Sequence, residues 1–318
     1  MTEIRKIAVP RRAGELGIHS VDHFSLAVPD LVEGAKFYAA LGLDVKADGN
    51  SVGLYTHGNA HCWGRLVEGP KKQIAHLSFG VFEDDLPRFK ARLDQLGIKQ
   101  LDPPAGRESN GIWFRDNDNK LVEIRVAEKT SPNAKSSFDM VSVPAGERGA
   151  PQRSKAPFVK PKRLAHMLIF TPDVDKSIAF YSRVMGLRLA DRVGDMIAFM
   201  YAIHGSDHHA MAFCKSEAPG LHHTSWDVGS VNAIGHGAMQ MASVGYTKGW
   251  GAGRHVLGSN YFHYVRDPWG SYAEYTADID YIGADQDWDT GDYPAEDSFY
   301  VWGPEPPKDF AVNFEAKA

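Results

Sequence analysis

Two short apolar runs, His23-Phe-Ser-Leu-Ala-Val-Pro-Asp30 and His166-Met-Leu-Ile-Phe-Thr-Pro-Asp173, read as strands that stop at a Pro-Asp pair. A helical spacing follows each one. In the first, Leu31, Ala35, Tyr38 and Leu41 share a face, Asp30 is the N-cap and Gly42 the stop. In the second, Val174, Ile178, Tyr181 and Met185 share a face between Asp173 and Gly186. A second helix is predicted near residues 84–96 and again near 230–244, each followed by glycine (Gly97, Gly245). The chain therefore reads strand, helix, strands, and runs through that order twice in each half.

The halves are copies of one another. Phe37-Tyr38 matches Phe180-Tyr181, Leu41-Gly42-Leu43 matches Met185-Gly186-Leu187, and Arg115-Asp116 matches Arg266-Asp267. The offset between copies widens slowly, as small loop insertions would make it. The expected organisation is an N-terminal arm (1–15), a first module (16–127), a linker rich in Ser, Pro, Lys, Gly and Ala (128–162), a second module (163–280) and a tail (281–318). Aromatic residues such as Trp288, Tyr293, Phe299 and Phe310 are too frequent in the tail for a disordered segment, so it should pack on the second module.

The repeat also carries polar residues. His166, His223 and Glu274 correspond to His23, His76 and Glu123. Two imidazoles and one carboxylate are the ligand set of a mononuclear non-haem iron site with open positions. All of them neighbour apolar residues on predicted strands, where an unpaired carboxylate would be costly and a shared divalent metal would satisfy it. His222 adjoins His223. Strand alternation predicts that only one of them faces the site, and the alignment of Ala75-His76 with His222-His223 selects His223.

Other positions differ between the copies. His209 matches Cys62, Gly253-Arg254-His255 matches Gly106-Arg107-Glu108, and Tyr264 matches Trp113. The second copy alone thus has two histidines for proton transfer and a tyrosine for hydrogen bonding to developing charge.

A formal net charge of −5 gives no basic footprint, so nucleic acid and anionic membrane are not expected partners. No run approaches the roughly 18 apolar residues needed to span a bilayer, and Met1–Pro10 lacks the apolar stretch of a signal peptide. Cys62 and Cys214 form no metal-type or disulfide spacing, which suits the cytoplasm.

The stretch Gly253-Arg-His-Val-Leu-Gly-Ser-Asn-Tyr-Phe-His-Tyr-Val-Arg-Asp-Pro-Trp-Gly-Ser-Tyr-Ala-Glu274 resembles the signature of type I extradiol catechol dioxygenases, members of the vicinal oxygen chelate superfamily. Ser271 stands where the family often has histidine. The resemblance implies an α+β fold of two tandem modules, each of paired βαβββ units forming an open curved sheet, with the first module non-catalytic. It implies His166, His223 and Glu274 as metal ligands, His209 for acid–base chemistry and oxygen stabilisation, and His255 and Tyr264 against the substrate. The metal would be Fe(II), with Mn(II) equally suited to the ligand set. The substrates would be a catechol-type aromatic diol and O2, and the enzyme a homo-oligomer. Leu168, Tyr201, His222, Trp250 and the tail are expected to line the pocket. With no arginine near Trp250, an uncharged or hydrophobically substituted catechol is favoured. A glyoxalase-like isomerase and a ligand-sequestering protein of the same superfamily are the alternatives. Whether His23, His76 and Glu123 hold a second metal stays open.

Overall fold

Local sequence sets the start and stop of the helices that brace each sheet. The computed structural model describes residues 9–104, 109–140 and 142–316. Gly106, Arg107 and Glu108, matched above to Gly253, Arg254 and His255, lie outside them. Strand β1 (Ser20–Val28) leads into α1 (Leu31–Leu41), whose first turn is capped by the Asp30 carboxylate accepting from the Val32 and Glu33 amides. Gly42 ends the helix at φ 101°, where its absent Cβ would meet the Val159 carbonyl of the linker. Then follow β2 (Asp44–Asp48), β3 (Ser51–Tyr55), β4 (Cys62–Glu68), β5 (Gln73–Val81), α2 (Leu86–Gln95), β6 (Ile112–Arg115) and β7 (Leu121–Val126).

The second half repeats this plan. It comprises β8 (Arg163–Thr171), α3 (Val174–Phe180, continued by a single π turn over Tyr181–Met185), β9 (Leu187–Val193), β10 (Ile197–Ala202), β11 (Ser206–Asp207) and β12 (Met211–Lys215). Next come β13 (Gly220–Asp227), α4 (Val231–Ser243), β14 (Gly249–His255), β15 (Tyr261–Arg266) and β16 (Tyr272–Ala277). The first sheet has the order β2-β3-β4-β1-β5-β7-β6. The tail adds β17 (Tyr281–Ile282), which pairs with β11, and β18 (Gly291–Asp292) and β19 (Tyr300–Trp302). With them the second sheet runs β18-β9-β10-β12-β8-β13-β16-β15-β14-β19. The fold is α+β, two tandem modules with open curved sheets. Between the modules, the described residues of 128–162 contain one regular element, a short turn of 3-10 helix at Arg153–Lys155.

At the centre of each sheet two antiparallel strands, β1 with β5 and β8 with β13, join the paired halves. Each is flanked by a parallel neighbour. One face of each sheet is given to a core that the modules share. Phe24 and Trp226 meet across it with centroids 6.3 Å apart, and Phe37 packs edge-on against Tyr246 at 5.1 Å. Tyr275 donates its hydroxyl to the Leu41 carbonyl at 2.8 Å, and Tyr181 to Asp116 at 2.9 Å. Side chains alternate along a strand, so Thr224 and Trp226 on β13 turn towards this core while His223 and Ser225 turn away. No helix among the described residues is long and apolar enough to cross a membrane.

Gly186 repeats the helix stop at φ 70°, and a Cβ there would lie 2.3 Å from the Leu16 carbonyl oxygen. Replacing Gly186 by Ala should destabilise the protein by at least about 1 kcal/mol, because alanine resists positive φ and the site is closed by backbone. An unchanged denaturant midpoint for Gly186→Ala would contradict this.

Candidate active site

The register brings three residues of different strands together. Ser225 on β13 lies opposite His166 on β8 and opposite Glu274 on β16, and His223 is two residues earlier on the same face. All three side chains are buried, at 2, 3 and 0% exposure. Their ligand atoms lie within 4.8 Å of one another. His166 Nε2 is 3.1 Å and His223 Nε2 3.5 Å from Glu274 Oε2. Among the described residues, His223 Nε2 and Glu274 Oε2 have no hydrogen-bond partner. Buried polar atoms are rarely left so, and a divalent cation would satisfy both. The donor set suits Fe(II), Mn(II) or Zn(II). Burial opposes the charge on Glu274, but the His166 and His255 imidazoles beside it more than compensate, and its pKa ends below the usual carboxylate range.

Acceptor-only groups fix the neighbouring imidazoles. His222 Nε2 is 3.0 Å from the Phe310 carbonyl, so it carries the proton and donates. Its Nδ1 then accepts from His223 Nδ1 at 2.7 Å. With the ring neutral, His223 Nε2 is left with its lone pair, as a metal ligand requires. His209 is set the same way. Asp191 accepts from Trp288 Nε1 at 3.2 Å, the Gly291 amide at 2.9 Å and His208 Nε2 at 2.7 Å. His208 Nδ1 consequently accepts from His209 Nδ1 at 3.1 Å, leaving the lone pair of His209 on Nε2. Burial, reinforced by the surrounding histidines, pushes the His209 and His223 pKa values well below the usual imidazole range, so both rings stay neutral. His255 Nδ1 donates to the Phe299 carbonyl at 2.9 Å, and its Nε2 accepts from the Tyr264 hydroxyl, also at 2.9 Å. Burial lowers the His255 pKa despite the nearby Glu274. Burial and Glu274 hold the Tyr264 phenol well above its usual value, so it remains a donor.

These groups share one cavity of about 250 Å³. His166, His209, His222, His223, His255 and Tyr264 all line it, and the His166 and His209 rings are 4.1 Å apart. Its walls are apolar, including Leu168, Ile197, Phe199 and Leu257, and the tail closes it with Phe299 and Phe310. No arginine or lysine is among the lining residues.

Three placements differ from strand alternation. A bulge at His222 breaks the β13–β8 register between Leu221 and His223, so His222 and His223 touch instead of facing apart. A register shift between Phe199 and Met200 keeps Phe199 in the cavity. Tyr201 packs instead with Ala190 and Ile282, outside the lining. Trp250 is also outside it. Its ring stacks behind Tyr264 at 5.7 Å, and its Nε1 donates to the Pro304 carbonyl. Asp191, His208 and the two tail carbonyls went unrecognised in the sequence. Backbone carbonyls leave no residue-type signal.

Comparison with known proteins agrees with this architecture. The model of the Glyoxalase/Bleomycin resistance protein/Dioxygenase superfamily matches residues 20–124 and 163–275, and the chain belongs to that superfamily. It is 48% identical over 309 residues to Metapyrocatechase 2 of Cupriavidus necator, covering 97% of this chain and 95% of that protein. Among solved structures, an extradiol ring-cleaving dioxygenase from B. fuscum superposes with TM-score 0.75 at 21% identity, over 98% of this chain and 85% of that one. A Mn(II)-bound glyoxalase from Novosphingobium aromaticivorans gives 0.73 at 23% identity, over 92% and 93%.

In metal-free protein, nitrogen NMR of the imidazoles should show His209 and His223 protonated at Nδ1 with Nε2 unprotonated. Asp191→Asn should mix the His209 tautomers and leave His223 unchanged. A His209 ring protonated at Nε2 in the wild type would refute the assignment.

Proposed function

We propose that the protein is an extradiol dioxygenase, which opens a catechol ring beside the diol and places both atoms of O2 in the product. One observation carries this reading: His166, His223, His209, His255 and Tyr264 line a single apolar cavity, with the Glu274 carboxylate within 4.8 Å of the His166 and His223 ligand atoms. The near-full-length likeness to Metapyrocatechase 2 supports it. His166, His223 and Glu274 would hold Fe(II), with Mn(II) as the other ion that suits them. When bound, the metal supplies Lewis acidity that makes the catecholate accessible at neutral pH, and a path for electrons from diol to O2.

The chain's own groups supply the rest. His209, neutral with its lone pair on Nε2, accepts a proton at that atom and later returns it to a product oxygen. His255 Nε2, with its lone pair, accepts a hydrogen bond from a diol hydroxyl and so orients the diol. Tyr264 keeps its proton and donates to the charge that develops on the diol. Phe299 and Phe310 exclude water, which strengthens these interactions.

The same cavity defines the substrate class. Its apolar walls fit an alkyl- or aryl-substituted catechol and offer no cation to a carboxylate. We extend the proposal to aromatic-compound catabolism in the cytoplasm, on the family resemblance, and to a homo-oligomer. The exposed Val301 and Trp302 on edge strand β19 support the last. A single-chain mass in light scattering would contradict it.

Protein reconstituted anaerobically with Fe(II) should consume one O2 per catechol and form a yellow ring-fission product. His209→Asn should retain the iron and lose about 10²- to 10⁴-fold in kcat. No uptake by iron-loaded wild type would overturn the reading in favour of an isomerase or a sequestering protein. A catechol bearing a carboxylate should show at least about tenfold lower kcat/KM than an alkylcatechol, since burying an unpaired charge costs more than 1.4 kcal/mol. Equal values would contradict the assigned substrate class.

A further inference from the structure

The first module holds a triad that the proposed reaction does not use. His23 on β1, His76 on β5 and Glu123 on β7 occupy the positions of His166, His223 and Glu274. Ser78 lies opposite both His23 and Glu123, as Ser225 does in the second copy. Their ligand atoms also lie within 4.8 Å of one another. His76 and Glu123 are buried at 3 and 1% exposure, and His23 is partly buried.

One feature here has no counterpart in the second copy. Asp22, only 4% exposed, places Oδ2 2.7 Å from His23 Nδ1. An ionised carboxylate only accepts, so Nδ1 carries the proton and neutral His23 presents a lone pair at Nε2. This carboxylate–histidine arrangement orients metal ligands and raises their basicity. The residue before His166 is Ala165. The first copy therefore has an orienting carboxylate where the second has Ala165.

The His23 lone pair points at the His76 ring, with Nε2 to Nε2 3.1 Å. Two nitrogens at that separation can share one cation at roughly 2.0–2.1 Å from each. Glu123 is held by the hydroxyls of Ser78, at 2.6 Å, and Ser109. Each carboxylate oxygen has a further lone pair to offer. The triad opens into a polar cleft bordered by Asn50, Asn59, Arg65, Arg125 and Glu128. Water has access to complete the coordination. Cys62 stands in place of His209 and Trp113, 1% exposed and packed on His76 at 5.1 Å, in place of Tyr264. Cys62 and Trp113 do not supply the imidazole and phenol that His209 and Tyr264 supply in the second module.

We propose that His23, His76 and Glu123, oriented by Asp22, form a second site for a first-row divalent cation, hydrated and without ring-cleaving activity. Anaerobic titration of the metal-free, full-length protein with Co(II), followed by its visible absorption, tests this without turnover. Failure of the dioxygenase reading would leave the result intact. Wild type should bind two equivalents per chain, and Glu123→Ala and Glu274→Ala one each. Asp22→Asn should weaken one equivalent by about 10- to 100-fold with both still bound at saturation. It decides the matter if Glu123→Ala fails to fold. One equivalent in the wild type overturns the proposal. So do two equivalents insensitive to Glu123 and Asp22.

Discussion

The imidazoles of His222, His223, His209 and His255 are set, directly or through a neighbouring histidine, by groups that can only accept hydrogen bonds, and the candidate active site depends on that constraint. The Phe310 carbonyl fixes His222 and, through it, His223. The Phe299 carbonyl fixes His255, and Asp191 fixes His209 through His208. A neutral imidazole has one donor and one acceptor, so a bond at one nitrogen dictates the chemistry of the other. Two of these acceptors are main-chain atoms of the tail. The tail thus roofs the cavity and also sets where His222, His223 and His255 carry their protons.

This arrangement makes division of labour physical. At the triad, His166 Nε2, the unprotonated Nε2 of His223 and an oxygen of Glu274 converge where a cation would remove the cost of burying them. Beside it, His209 keeps a lone pair, while Tyr264 keeps its proton. An apolar enclosure depresses the imidazole pKa values and raises that of the phenol, holding one set of groups ready to accept and the other ready to donate. In the first module the same sheet geometry lacks the tail, and its cleft is polar and open. That contrast explains how one duplicated scaffold supports an enclosed site and a solvent-facing one.

Much of this was legible in the sequence, for identifiable reasons. Asp30 and Asp173 announce helix starts because a side chain must cap the free amides there, and Gly42 and Gly186 announce stops because positive φ favours glycine. His166, His223 and Glu274 stood out because each recurs at a matched strand position. The bulge at His222 was not legible, since it is a register irregularity between strands distant in the chain. The same holds for the shift beyond Phe199 that carries Tyr201 into a different cluster. The tail carbonyls were hidden because main-chain acceptors are common to every residue. Asp191 was hidden because nothing local distinguishes a relay carboxylate on a strand from a solvated one.

The most direct test is diffraction from crystals of the Fe(II)-loaded protein, measured on either side of the iron absorption edge. The account predicts an anomalous peak bound by His166 Nε2, His223 Nε2 and Glu274, with His222 Nε2 still donating to the Phe310 carbonyl. A triad without iron in protein that carries it, or iron bound through His223 Nδ1, would contradict it.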